Sequence, residues 1–115
     1  MGEAEADVVR VLVVDDNHSI RVATERVFQR EGWTVTTAND GLEARARLKE
    51  GAFDIIVSDI TMPGYGGLEF LRSVREQDLD VPVIMVTGNP SIESSVRALE
   101  YGAFRYLIKP VGNDK

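Results

Sequence analysis

Cysteine is absent from this 115-residue chain. Disulfides and thiolate metal sites are therefore excluded. The absence fits a reducing compartment, so a cytoplasmic location is the expectation. Histidine occurs once, as His18, which rules out a site built on paired imidazoles. Long apolar runs are missing too: the longest reach four or five residues, where a membrane span needs about 20. Basic residues are the minority, 13 against 19 acidic ones, and the formal charge of −6 argues against a nucleic-acid surface. The first ten residues, MGEAEADVVR, are acidic where a secretory leader would be basic and then greasy. Residues 1–7 read as an acidic, disordered start and 8–115 as one domain, with no membrane segment.

What the chain does contain is a regular alternation. Val8 to Val14 reads as a strand apolar on both faces. Ile20, Ala23, Thr24, Val27 and Phe28 fall on one helical face that Gly32 closes as a left-handed cap. Trp33 to Ala38 is rich in β-formers, and Gly41 to Glu50 reads as a helix carrying Leu42, Ala46 and Leu48. A second buried-strand signature, Phe53 to Asp59, leads into a glycine-rich loop and a helical stripe of Leu68, Leu71 and Val74. Pro82 to Thr87 is a third apolar strand. A helix with Ile92, Val96 and Leu99 at core positions follows, stopping at Gly102 before a last strand, Phe104 to Ile108. Five strands separated by four helices predict an α/β fold: an open, doubly wound five-stranded parallel sheet with helices on both faces and right-handed crossovers.

In such a sheet every strand's carboxyl end lies on one edge, where ligands bind. Those ends carry Asp15 and Asp16, then Asp59, Thr87 and Lys109. Three close carboxylates repel one another, and a cation relieves them. Oxygen-only ligands point to a hard divalent ion, Mg²⁺ being favoured because it works with a few carboxylates, water and phosphate oxygens. With Lys109 as an ammonium donor and Thr87 as a hydroxyl, the set matches the needs of phosphoryl transfer. Asp59, central in the set, is the candidate covalent acceptor.

The stretches VLVVDDN, DIIVSDITMPGYGG, PVIMVTG and GAFRYLIKP, in this order, closely resemble the receiver domain of two-component response regulators over about residues 8 to 111. The resemblance implies the flavodoxin-like strand order 2-1-3-4-5. It implies that Asp59 accepts a phosphoryl group from a sensor histidine kinase or phosphotransfer protein. Asp16, Asp59 and the backbone carbonyl of Thr61 would bind Mg²⁺, Asp15 helping through water. Lys109 would contact a phosphoryl oxygen, Thr87 would swing toward it, and Tyr106 would turn inward. The surface of the fourth helix and fifth strand, with Arg97, Tyr101, Arg105 and Tyr106, would thereby be remodelled. Thr61 and Asn89 would tune the phosphoryl lifetime, and the Lys109–Pro110 bond would be cis. The family's fifth helix has only VGNDK to form it, so a C-terminally truncated receiver is the expectation. An open sheet face would then invite a homodimer, and an effector domain would lie beyond this chain.

Plainer readings stand beside these. Asp15 and Asp16 could cap the following helix, Tyr106 could be an ordinary packed aromatic, and His18 has no assigned role. GYGG reads as flexibility near the acceptor. An inert receiver that serves only as an interaction module is an alternative, although all the polar site positions are filled. An aspartyl-phosphate phosphatase is a weaker one, because Thr61 stands where a second acid would be needed. A flavin nucleotide is disfavoured, since Asp15 and Asp16 would repel its phosphate.

Overall fold

The computed structural model describes residues 8–62, 64–77 and 79–109. The expectations for residues 1–7, for the Lys109–Pro110 bond and for the fifth helix lie outside the described residues.

Five strands, β1 (Arg10–Val14), β2 (Thr34–Ala38), β3 (Ile55–Asp59), β4 (Val83–Thr87) and β5 (Arg105–Ile108), alternate with four helices. These are α1 (His18–Arg30), α2 (Gly41–Glu50), α3 (Gly67–Glu76) and α4 (Ile92–Glu100). All pairings are parallel and the order is β2-β1-β3-β4-β5. The strands start one or two residues later than the apolar runs suggest. Strand boundaries follow ladder hydrogen bonds, and an apolar run extends beyond them.

The helix starts follow from local chemistry. Asn17, Asp40 and Ser91 each accept a backbone N–H of the first turn of α1, α2 and α4, each cap worth about 1 kcal/mol. Past α1, Gly32 takes φ +83°, a left-handed conformation cheap only for glycine. The capping role weighed for Asp15 and Asp16 thus falls to Asn17, which leaves both acids free.

The main core lies on one face of the sheet. Leu12, Val14, Ile56, Val83 and Met85 pack there with Ala44 of α2, Phe70, Leu71 and Val74 of α3, and Ala98 of α4. On the other face α1 faces Val13, Val57 and Val86 across a groove of about 330 Å³. No residue of α1 is buried. Helices lie on both faces, as expected, but their cover is unequal. That inequality explains β4, where Val83, Met85 and Thr87 are buried while Ile84 and Val86 stay half-exposed.

The helix stripes are less buried than their spacing suggests: Ile20 and Val27 of α1 and Leu42 of α2 are exposed, and on α4 the expected face is the wrong one. Ile92, Val96 and Leu99 are not core: they are 84%, 46% and 62% exposed. The helix turns its small residues inward instead. Ala98 is fully buried and Ser94 half-buried, because the small side chains let α4 sit close to the sheet while the bulkier stripe faces solvent.

Candidate functional site

The carboxyl edge of the sheet gathers the predicted acids. Asp15 follows the last residue of β1, Asp59 is the last residue of β3, and Asp16 stands beside Asp15 at the loop's outer side. Asp15 and Asp59 are buried whereas Asp16 is exposed. One carboxylate oxygen from each of the three lies within 4.8 Å of the others. Three hard oxygen donors so placed suit Mg²⁺ better than a soft or imidazole-seeking ion.

Lys109 reaches into this cluster from the residue after β5. Its Nζ donates to Asp15 Oδ2 at 2.8 Å and to Asp59 Oδ2 at 3.2 Å. The pairs are shielded, the side chains being 16% (Lys109), 7% (Asp15) and 8% (Asp59) exposed. Burial raises the Asp59 pKa above the ordinary carboxylate value, and the Asp15 charge adds to this. Lys109 and the Thr61 N–H pull the other way without prevailing. For Lys109, burial alone would lower the pKa. The hydrogen bond and charge of Asp15, with the charge of Asp59, outweigh it and the net direction is up. Lys109 therefore stays protonated, with its shorter bond to Asp15.

Backbone donors fix the remaining lone pairs. The Asn17 N–H donates to Asp15 Oδ1 at 2.9 Å, and the Thr61 N–H to Asp59 Oδ1 at 3.2 Å. Thr61 itself is exposed at the rim. Thr87 sits on the next strand, one residue beyond the partner of Asp59 in the β3–β4 register. Its buried hydroxyl accepts the Asn89 N–H at 3.0 Å and makes no hydrogen bond to Asp59 among the described residues. Tyr106 stands apart, half-buried against the core, with its hydroxyl 2.8 Å from Ser94 Oγ of α4. Asp15, Asp16, Asp59 and Lys109 are thus one cluster, with Thr61, Thr87 and Asn89 around it and Tyr106 a step away.

Three further contributors lack a clear signal in the sequence. Arg21 Nη1 donates to the Asp15 carbonyl at 2.7 Å, and Nη2 lies 3.2 Å from His18 Nδ1, tying the loop after β1 to α1. A polar residue on a helix surface gives no sequence hint of this. Ser94 is the partner of Tyr106. Gly67 opens α3 so close under Asp59 that a Cβ there would lie 2.0 Å from the Asp59 carbonyl oxygen. The last glycine of GYGG is therefore a place of close backbone approach. The Gly67 N–H also donates to the Ile60 carbonyl at 3.0 Å.

Residues 11–115 match the profile of the response regulator receiver domain. Over 101 residues the chain is 42% identical to the transcriptional regulatory protein PrrA of Mycobacterium tuberculosis, covering 88% of this chain and 43% of that one. It is 40% identical over 105 residues to the DNA-binding transcriptional regulator NtrC of Salmonella typhimurium, covering 91% and 22%. Among solved structures, the Vibrio cholerae chemotaxis protein CheY4 superposes with a TM-score of 0.85 at 39% identity, covering 90% of this chain and 88% of that one. A CheY-like receiver domain protein of Methanospirillum hungatei gives 0.87 at 34%, covering 91% and 84%. The chain spans less than half the length of these two curated relatives.

Proposed function

This chain belongs to the response regulator receiver domain family, and from that premise we propose that it is a phosphoacceptor switch with Asp59 as the acceptor. The observation that carries this reading is the Asp15–Asp16–Asp59 oxygen cluster bridged by Lys109.

Asp16, Asp59 and the Thr61 carbonyl would hold Mg²⁺, with Asp15 acting through water. When bound, the cation would supply charge neutralisation for the incoming phosphoryl oxygens. An Asp59 carboxylate oxygen attacks phosphorus. The bond from phosphorus to the donor breaks, and its electron pair leaves with the donor. For a histidine kinase or phosphotransfer protein that donor atom is an imidazole nitrogen. Burial leaves the Asp59 carboxylate poorly solvated, which favours it as a nucleophile once its charge is matched. Lys109 passes one of its hydrogen bonds to a phosphoryl oxygen, keeping the buried charge paired. The Thr87 hydroxyl turns from the Asn89 N–H to the phosphoryl group, Tyr106 follows it inward, and the α4–β5 surface changes. Thr61 and Asn89 flank the acceptor and set the access of water, hence the lifetime. Self-phosphorylation from small donors and self-dephosphorylation are its only catalysis in this reading.

The greater length of PrrA and NtrC, both transcriptional regulators, supports a C-terminal effector that reads the switch. A homodimer through the exposed apolar surface and a cytoplasmic location complete the proposal. The test is incubation with acetyl phosphate and Mg²⁺ followed by intact mass measurement. The wild type gains one phosphoryl group, and Asp59→Asn or removal of Mg²⁺ by EDTA abolishes the gain. A gain that survives either change contradicts the reading.

A further inference from the structure

Among the described residues, the Ser94–Tyr106 pair is the side-chain hydrogen bond that links α4 to β5. Ser94 Oγ and Tyr106 Oη are 2.8 Å apart, and either can donate. Both residues are half-buried, so water competes poorly for either hydroxyl. The same serine belongs to the cap of α4. Its N–H donates to Ser91 Oγ at 3.0 Å, and its hydroxyl lies 3.0 Å from Ser91 Oγ and 3.2 Å from the Ser91 carbonyl. Upstream, the loop from Thr87 to Ser91 begins with the Asn89 N–H bonded to Thr87 Oγ1. The polar contacts of the α4 cap therefore continue through Ser94 to the ring of Tyr106.

We infer that Ser94 is a positioning residue for Tyr106: its hydroxyl latches the tyrosine to the first turn of α4 in the unphosphorylated chain and so sets the switching equilibrium. The inference rests on the switch reading given above. If Tyr106 moves inward on phosphorylation, this bond is made in one state and broken in the other. A contact present in one state alone biases the populations by its net worth. Breaking it also frees the Ser94 hydroxyl to serve Ser91 alone, which ties the motion of Tyr106 to the turn bearing the exposed Ile92. Alanine at 94 preserves the backbone N–H that Ser91 caps, and so removes the latch without removing the cap.

The test uses beryllofluoride with Mg²⁺ as the phosphoryl mimic. Removing the latch penalises only the unliganded state. Ser94→Ala should tighten apparent beryllofluoride affinity about fivefold, the factor given by the net worth of one hydrogen bond. Ser94→Thr, which keeps the hydroxyl, should restore the wild-type value. Tyr106→Phe combined with Ser94→Ala should give no more than either change alone. In the ligand-free protein, the ring-carbon NMR resonance of Tyr106 should move in Ser94→Ala and stay in Ser91→Ala, which removes the cap and one neighbour of the Ser94 hydroxyl but keeps that hydroxyl beside Tyr106. An unmoved Tyr106 resonance, an unchanged affinity, additive effects, or the same affinity gain from Ser91→Ala would overturn the latch. If the wild type binds no beryllofluoride, the switch reading fails, and the Tyr106 resonance still decides whether Ser94 positions the ring.

Discussion

Asp59 is a carboxylate held where it is uncomfortable, and its surroundings say what should follow. Its pKa is raised because burial outweighs Lys109. A group with a raised folded pKa favours the folded state while both states are protonated, and this support is lost as pH rises through the folded value. Without metal, Asp59→Asn should therefore be more stable than wild type near pH 7. That advantage should fade as pH falls below the ordinary carboxylate range, as read by urea unfolding at several pH values. Lys109 follows the same sign in a higher pH window. Its raised pKa marks stabilisation that is present at neutral pH and is lost only above the ordinary lysine range. Gly67→Ala should cost about 1–3 kcal/mol by the same unfolding measurement, because the new methyl meets the Asp59 carbonyl oxygen. The acids and Lys109 were legible in the sequence because strand ends in a parallel sheet share an edge. Arg21, Gly67 and Ser94 were not, since a bond to a backbone carbonyl, a close approach of two backbones and a contact between α4 and β5 leave no local pattern.

At the scale of elements, the period of apolar residues located the nine described strands and helices but overstated the burial of the helix faces, since Ile20, Val27 and Leu42 are exposed and the stripe of α4 faces solvent altogether. The stripe of Ile92, Val96 and Leu99 has the spacing of a core face, yet α4 packs through Ala98. Spacing identifies a helix face and cannot say which face the sheet selects when small residues allow a closer approach. Ile92→Ala should accordingly change unfolding free energy by no more than about 0.5 kcal/mol. In contrast, Phe70 of α3 is fully buried at the centre of the core, and Phe70→Ala should cost about 3–5 kcal/mol. Equal losses at the two positions would mean that α4 is seated the other way round. In the glycine-rich loop, the last glycine has a second role that its spacing does not show. Gly67 lets α3 begin directly beneath Asp59, which is a matter of space.

Among the described residues, the sheet has a thick and a thin side, and the Asp15–Asp16–Asp59–Lys109 cluster sits at the carboxyl edge between them. The doubly wound class was legible from the count of alternating elements. The strand order came from resemblance, because apolar runs do not reveal which strands are neighbours. The thin side was only partly legible: Val57, Ile84 and Val86 read as buried on both faces but remain half-exposed. Cation binding should also be felt globally, since an ion bound only by the folded chain raises its stability, by about 2.7 kcal/mol at a hundred times its dissociation constant. Asp16→Asn should abolish most of that gain in a melt with added Mg²⁺. The account's central claim is narrower, that Asp59 alone becomes the acyl phosphate. Borohydride reduction after incubation with acetyl phosphate and Mg²⁺ converts a phosphorylated aspartate to homoserine, and peptide mapping then locates it. Homoserine at position 59 alone is the predicted result; homoserine at Asp15 or Asp16, or at no residue, would contradict it.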